Sequence, residues 1–158
     1  MISVILIASE DLPGLAAQMV MLVPAAVDGL VKEVVLVAGD EAGVDALAED
    51  SGARLVREPG NVQDRLAAGV AVARGDWILT LRPDTVLREG WREPVERHLA
   101  GGAGAPAALI APGGLWGRLK PKAHGVLLRR LDWPKGATLD ERGLARTLKA
   151  KSLTYQAR

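Results

Sequence analysis

Cysteine and phenylalanine are absent from this sequence, and tyrosine occurs only once. Without cysteine the chain forms no disulfide, no thiolate zinc site and no cysteine nucleophile. Any bound metal must therefore be held by oxygen ligands or by one of two histidines, His98 and His124. With so few aromatic residues, the core must be built from Ala, Val and Leu, with four Trp as its large pieces.

An excess of charge of one sign and a long apolar run are also missing. The 20 basic and 19 acidic residues leave a net charge of +1, which gives no global field toward nucleic acid or membrane. No run reaches the roughly 18 apolar residues of a membrane span, and no basic leader precedes the first apolar run. We expect a cytoplasmic protein without a membrane span or a nucleic-acid partner.

What the sequence does have is a regular alternation of short apolar runs and helical patterns. The 158 residues, 49% of them hydrophobic, are enough for one domain with a core. Asp11 or Ser9 can cap the first helix, which Pro24 should kink or split. Asn61 is a plausible N-cap for the third helix, and Gly52 a C-cap for the second. The predicted strands cover residues 2–8, 33–38, 53–57 and 77–81.

Short strands that alternate with helices predict an α/β fold with a mostly parallel central sheet and right-handed crossovers. The regularity ends after residue 84. There we expect a helix over residues 89–99, a strand over 107–111 and an irregular loop over 112–122. An edge strand over 125–130, a helix over 138–150 and a short strand or tail over 153–156 would follow.

Three common site motifs are missing. After the first strand the chain reads Ala8-Ser9-Glu10-Asp11 instead of a glycine-rich dinucleotide fingerprint. The sequence also has no P-loop and no nucleophile elbow around a serine. NAD-type binding and serine hydrolase chemistry are therefore not supported.

Acidic residues instead follow the predicted strands. Glu10 and Asp11 come after the first strand, Asp40 after the second and Asp84 after the fourth. Parallel strands gather their carboxyl ends at one edge, so these side chains could converge on one cleft. Carboxylates there would suit Mg²⁺ or Mn²⁺ bridging a diphosphate. The alternative for Asp84 is an ordinary turn aspartate after Pro83.

The segments ISVILIASEDLPGL, EVVLVAGDEAGVDALAEDSGARLVREPG and LAAGVAVARGDWILTLRPDTVLREGW carry a resemblance. In order and spacing they resemble the first hundred residues of family 2 glycosyltransferases of the GT-A fold, a Rossmann-like three-layer sandwich. The most specific part is ARGDWILTLRPDT. The resemblance implies transfer of a sugar from a nucleotide-sugar donor to an acceptor hydroxyl with a divalent metal.

The resemblance also implies roles for individual residues. Asp84 falls on the last position of the family's D-x-D motif, which binds the cation, while Arg82 stands at its first. Ala38 occupies the position of an aspartate that holds the base, with Asp40 two residues later. Ala67 lies near the position where the family often has an asparagine. Ser9, Glu10, Asp40 and Arg82 are thus the candidate nucleotide-binding residues.

A weaker match covers residues 139–150, LDERGLARTLKA, which resemble the family's acidic pair and following helix. Asp140 and Glu141 fall on the pair, whose second acid acts as the general base. An acid that only complements a helix N-terminus is the alternative. His124, with Arg118, Lys120 and Lys122, could neutralise the leaving diphosphate, or these residues form a solvated basic loop.

The departures from the family pattern leave two hypotheses. The first is an active glycosyltransferase with a nucleotide-binding half, residues 1–100, and a shortened acceptor-side half, residues 101–158. The second is a non-catalytic GT-A-like module that binds a nucleotide weakly or acts through protein contacts, for example as a homodimer through its apolar C-terminal third.

Overall fold

A computed structural model of the chain describes residues 1–102, 104–110, 123–134 and 141–155. The elements follow one another in a simple order along the chain. They are β1 (Ile2–Ile7), α1 (Leu12–Val27), β2 (Val31–Ala38), α2 (Val44–Ser51), β3 (Arg54–Arg57), α3 (Val62–Val72), β4 (Trp77–Leu81), α4 (Arg92–Ala100), β5 (Ala107–Ile110), β6 (Ala123–Arg129), a 3-10 turn (Arg130–Asp132), α5 (Glu141–Thr147) and β7 (Lys151–Thr154).

The strands form one seven-stranded sheet in the order β3-β2-β1-β4-β6-β5-β7. Strand β1 pairs in parallel with β2 on one side and with β4 on the other. The chain first builds outward from β1 through β2 to β3 and then returns to the opposite side of β1 with β4. The order of the strands therefore reverses between β1 and β4, which makes this the topological switch point of the sheet.

Helices cover both faces of the sheet. Ile2, Val4 and Leu6 of β1 pack in the cluster that contains residues of α1, α2 and α4. Ile5 and Ile7, which point the other way because side chains alternate along a strand, pack in the cluster with α3 and α5. The result is a three-layer α/β sandwich with a mostly parallel sheet, which confirms the predicted fold class.

Local sequence signals set the predicted helix ends. The Asp11 carboxylate accepts a hydrogen bond from the Gly14 backbone N–H at 3.0 Å and so caps α1. Asn61 and Asp64 form a reciprocal capping box at the start of α3, as predicted for Asn61. Gly52 ends α2 with a φ of 69°, a left-handed conformation that favours glycine.

Two predictions of local structure are wrong. Pro24 does not split α1, because this helix continues through it to Val27, while the alternative of a kink at Pro24 stays a prediction. The strand expected at an edge, β6, lies inside the sheet between β4 and β5 and runs antiparallel to both. A local apolar pattern indicates that a segment forms a strand, but it does not indicate which strands that segment pairs with. The sequence therefore could not identify β4 and β5 as the neighbours of β6.

Among the described residues, no helix is both long enough and apolar enough to cross a membrane.

Candidate functional site

The candidate site lies at the C-terminal edge of β2, β1 and β4, which are adjacent and parallel. Ser9 and Glu10 follow β1, Asp40 follows β2, and Arg82 follows β4 directly. Neighbouring strands lie about 4.8 Å apart, so the ends of β2 and β4 are separated by roughly 10 Å. The fold thus brings the predicted residues to one edge, around the switch point where open α/β sheets bind ligands.

Arg82 and Asp84 form a bidentate ion pair. Arg82 Nε donates to Asp84 Oδ1 at 2.8 Å, and Arg82 Nη2 donates to Asp84 Oδ2 at 2.5 Å. The Arg82 backbone is fixed as well, since its N–H donates to the carbonyl of His124 and its own carbonyl accepts from the Thr85 hydroxyl. Hydrogen bonds from Arg82, with its charge, hold the pKa of Asp84 below its ordinary value.

Further positive charge surrounds this pair. The charge of Arg142, in the first turn of α5, also lowers the pKa of Asp84. Arg88 lies in the connection before α4, and neither Arg88 nor Arg142 makes an ion pair within the described part of the chain. The end of β4 is therefore a net positive region, in contrast to the nearly neutral chain.

His124 faces the same region from β6. Burial lowers the pKa of His124, and the charges of Arg88 and Arg82 lower it further against the opposing charge of Asp84. Its Nδ1 is buried and has no hydrogen-bond partner among the described residues. His124 belongs to strand β6 and not to the predicted basic loop, of which Arg118, Lys120 and Lys122 lie outside the described residues.

At the end of β2 a second ion pair organises the backbone. Arg65 Nη1 contacts Glu41 Oε1 at 2.5 Å, and both side chains are largely buried. The other Glu41 oxygen accepts from the Gly39 backbone N–H at 2.6 Å, and Arg65 Nε donates to the carbonyl of Gly60 at 3.1 Å. Burial alone would raise the pKa of Glu41, but the hydrogen bonds from Arg65 and the backbone outweigh it and lower the pKa.

This turn lines a cleft of about 540 Å³ beside β2 and β3. Asp40 lies in its wall, exposed and directly after the Gly39 that Glu41 holds. Arg57 closes the opposite side by donating to the carbonyl of Gly39 and to the carboxylate of Asp45. Asp40 is therefore presented to solvent at the edge, as its prediction as a nucleotide-binding residue requires.

The two candidate catalytic acids have different outcomes. Asp140 lies outside the described residues, so its prediction has no structural counterpart. Glu141 begins α5, which packs on β6, and its side chain is only 3% exposed. The Arg142 charge that acts on Asp84 shows that the start of α5 lies near the end of β4. The role of Glu141 as a general base stays a prediction.

The arrangement at Asp84 does not fit a divalent cation. A cation bound there would need the carboxylate oxygens as ligands, and both already accept hydrogen bonds from Arg82. No group of three or more His, Asp or Glu side chains is placed to hold a metal within the described ranges. The carboxylates that the sequence predicted to converge therefore have different partners, since Asp11 caps α1 and Asp84 pairs with Arg82. Glu41, which was not among the predicted residues, pairs with Arg65.

Sequence reasoning missed Arg65, Glu41, Arg88 and Arg142. The Arg65 and Glu41 partners are 24 residues apart, so no local spacing marks them as a pair. A signal did exist for Arg65, since it lies in the helix where the resemblance suggested a polar side chain near Ala67. Arg88 and Arg142 are 54 positions apart in the sequence, and only the fold brings both of their charges near the end of β4.

The sheet order and the three layers match the fold of GT-A glycosyltransferases. Among solved structures, this chain resembles glucosyl-3-phosphoglycerate synthase from Mycobacterium tuberculosis in complex with Mn²⁺, uridine diphosphate and glucosyl-3-phosphoglycerate. The TM-score is 0.75 with 19% identity, over 100% of this chain and 71% of that one.

The same synthase with uridine diphosphate alone gives a TM-score of 0.73 at 20% identity, again over 100% of this chain and 71% of that one. A structure described only as a mycobacterial protein gives 0.68 at 20% identity, over 100% and 66%. At such identities the likeness shows the fold alone. No protein-family model and no curated protein matches the chain.

Proposed function

We propose that this chain binds a nucleotide-sugar donor at the C-terminal edge of β1, β2 and β4 and transfers the sugar to an acceptor hydroxyl. The observation that carries the proposal is the placement of Ser9, Glu10, Asp40, Arg82 and Asp84 after the C-terminal ends of three adjacent parallel strands, around the switch point of the sheet. Solved structures of similar fold hold uridine diphosphate or UDP-glucose, some with Mn²⁺ or Mg²⁺. The finer assignment to family 2 rests on the sequence resemblance.

In the proposed reaction the acceptor oxygen attacks the anomeric carbon as the bond from that carbon to the diphosphate breaks. The nucleoside diphosphate leaves, and the hydroxyl proton passes to a carboxylate, for which Glu141 is the candidate. Arginine side chains around the end of β4 would stabilise the negative charge that develops on the leaving diphosphate.

The predicted Mg²⁺ or Mn²⁺ at Asp84 is supported by metals in structures of similar fold. It is opposed by the Arg82 side chain, which occupies both oxygens of Asp84. A cation at Asp84 would have to displace Arg82 from the carboxylate oxygens or share them with it. The reaction above is therefore written without a step that uses a metal.

A second candidate function is a non-catalytic GT-A-like module. Four positions favour it: Ala38, Ala67 and Arg82 replace polar residues that the family resemblance implies, and Glu141 is buried. Such a module would bind nucleotide without turnover or act through protein contacts. The homodimer predicted for the apolar C-terminal third stays a prediction, which light scattering would test.

The division into a nucleotide-binding half, residues 1–100, and an acceptor-side half, residues 101–158, is part of the same proposal. The first half holds β1 to β4 and therefore all of the strand ends at the site. The second half adds β5, β6, β7 and α5, and the charge of Arg142 in α5, which acts on Asp84, supports its assignment to the same site. We expect no nucleic-acid partner, because the net charge is only +1.

A thermal-shift titration with UDP, GDP and their sugars tests donor binding. A ligand that binds only the folded state adds about 2.7 kcal/mol of stability at roughly 100 times its dissociation constant. We expect one nucleotide to stabilise the chain, and Asp40→Ala to weaken that binding by roughly tenfold through loss of a hydrogen bond to the ligand.

Asp76→Ala is the matched control, since Asp76 precedes β4 at the opposite edge of the sheet and its side chain is 88% exposed. It should leave the nucleotide shift unchanged. No shift with any of these ligands at millimolar concentration would contradict donor binding. Binding of a nucleotide-sugar without release of nucleoside diphosphate, over a range of acceptors, would favour the non-catalytic module.

A further inference from the structure

We propose that Arg82 takes the place of a divalent cation in this site, so that the chain binds its donor diphosphate without a metal. The inference rests on the proposed function, since it concerns how the same site holds the same ligand. It departs from the sequence-based expectation of Mg²⁺ or Mn²⁺ at Asp84. The argument uses the side-chain geometry at the end of β4 and the charges around it.

The first step is that Arg82 already occupies the ligand oxygens of Asp84. Both oxygens accept hydrogen bonds from one guanidinium group, at 2.8 and 2.5 Å. A bidentate arginine and carboxylate pair is among the stronger hydrogen-bonded pairs in proteins, and arginine keeps its charge at all relevant pH values. The Arg82 side chain is 17% exposed and the Asp84 side chain 59% exposed, so the guanidinium group is shielded from water while the carboxylate faces solvent.

The second step is a balance of charge. A motif of two carboxylates with one divalent cation sums to zero, and so does Arg82 with Asp84. To this neutral pair Arg88 and Arg142 add two positive charges that no carboxylate balances by an ion pair within the described residues. Guanidinium groups match phosphate geometry. Three guanidinium groups are therefore present around Asp84 for a diphosphate before any metal is added, while the carboxylates of Glu10 and Asp40 follow the neighbouring strands β1 and β2.

The third step concerns competition. A cation that reached Asp84 would have to compete with Arg82 for the carboxylate oxygens and would lie near Arg82, Arg88 and Arg142, all of the same sign. Repulsion between like charges in a partly buried site disfavours this exchange. The same surroundings attract a phosphate group. The structure thus favours an anion over a cation at this end of β4.

Nucleotide binding in the presence of either EDTA or Mn²⁺ tests the inference. We expect the affinity of the wild-type chain for UDP or GDP, whichever binds, to differ by less than about threefold between the two conditions. Arg82→Ala should lower the affinity in EDTA by roughly tenfold or more, because hydrogen bonds between charged groups are lost. Mn²⁺ should then restore part of it, since Asp84 is released to bind the metal.

Two further variants separate this effect from a general loss of charge or of structure. Arg97→Ala removes another arginine that pairs with a carboxylate, at an exposed position on α4, and should change neither affinity nor metal dependence. Arg82→Ala combined with Asp84→Asn should lose the restoration by Mn²⁺. If Arg82 were only a structural residue of the turn, its loss would lower stability without creating any metal dependence.

Mn²⁺ alone provides a measurement that needs no nucleotide. Electron paramagnetic resonance measures the amount of bound Mn²⁺. In the wild-type protein, Asp84→Asn should not reduce this amount, whereas the Arg82→Asp variant should gain a Mn²⁺ site that depends on Asp84. An Asp84-dependent Mn²⁺ site in the wild type, or nucleotide binding that requires Mn²⁺, would overturn the inference while leaving the proposed function intact. Absence of nucleotide binding in both conditions would instead overturn the proposed function, and with it the diphosphate part of the inference.

Discussion

Arg82 and Asp84 are separated by a single proline, and this spacing lets one guanidinium group reach both oxygens of the following carboxylate. The pair looks, in the sequence alone, like a degenerate metal motif. In the structure it is a complete ion pair beside two further arginines. A change of one residue type thus converts a site expected for a cation into one suited to an anion.

A second carboxylate, Glu33, acts at the opposite edge of the sheet and concerns stability. The Ser3 hydroxyl donates to Glu33 Oε1 at 2.7 Å and accepts from the Gly75 N–H at 2.8 Å, while the Arg74 N–H donates to Glu33 at 2.6 Å. Burial alone raises the pKa of Glu33, but the hydrogen bonds from Ser3 and Arg74 outweigh it and lower the pKa below its ordinary 4.5.

Glu33→Gln should therefore lower the free energy of unfolding at pH 7 by about 1 to 2 kcal/mol, the scale of a hydrogen bond to a charged group. Because the folded-state pKa is lowered, this contribution is present above the unfolded value near 4.5 and is lost as pH falls through the folded value. Urea unfolding curves of wild type and variant should converge at acidic pH.

Glu93→Gln is the matched control for this prediction. Glu93 pairs with Arg97 on the surface of α4, where both side chains are about 70% exposed (68% and 71%). Exposed pairs of this kind contribute little. The control should change stability only slightly at any pH, and an equally small, pH-independent effect of Glu33→Gln would show that the buried carboxylate is not stabilising.

Among the elements, β6 is the one whose position the sequence could not give. Gly125 of β6 lies opposite Leu81, and a Cβ added there would collide with the carbonyl oxygen of Thr80 in β4. Because this clash is with a backbone atom, the rotation of a neighbouring side chain cannot relieve it. The glycine thus permits the close pairing of β4 and β6, and this pairing places His124 and the Arg82 turn side by side.

Gly125→Ala should destabilise the chain by about 2 kcal/mol or more, because overpacking against backbone forces the strands apart. Gly101→Ala is the control, since Gly101 has a φ of −69° and a Cβ there would meet only atoms at 3.4 Å or beyond. Thermal or urea unfolding should show a large loss for the first variant and little change for the second. Equal stabilities would contradict the close approach in β6.

The first four strands and three helices could be predicted because each has its own local signal. Continuous apolar runs mark the buried parallel strands, and Asn61 and Gly52 mark helix ends. The place of β6, the Arg65 and Glu41 pair, and the effect of the Arg142 charge on Asp84 depend on residues distant in sequence. Their partners are chosen by the sheet order, which local periodicity does not contain.

For the whole molecule, the consequence of the sheet order is a single edge that collects the ends of β2, β1 and β4. The Glu41 and Arg65 pair stabilises one end of this edge, and the Arg82 and Asp84 pair the other. Between them lie Ser9, Glu10 and Asp40, which no ion pair of the described chain involves. A ligand across this edge would contact all three strand ends at once.

Hydrogen exchange with and without saturating nucleotide, in EDTA, is the measurement that tests this account most directly. We predict slower exchange in the peptides that contain residues 8–12, 38–43 and 82–88, and no change in peptides from the opposite edge around residues 29–33 and 73–77. Protection limited to the opposite edge, or no protection at any of the three strand ends with UDP or GDP at saturation, would contradict a nucleotide site at the switch point.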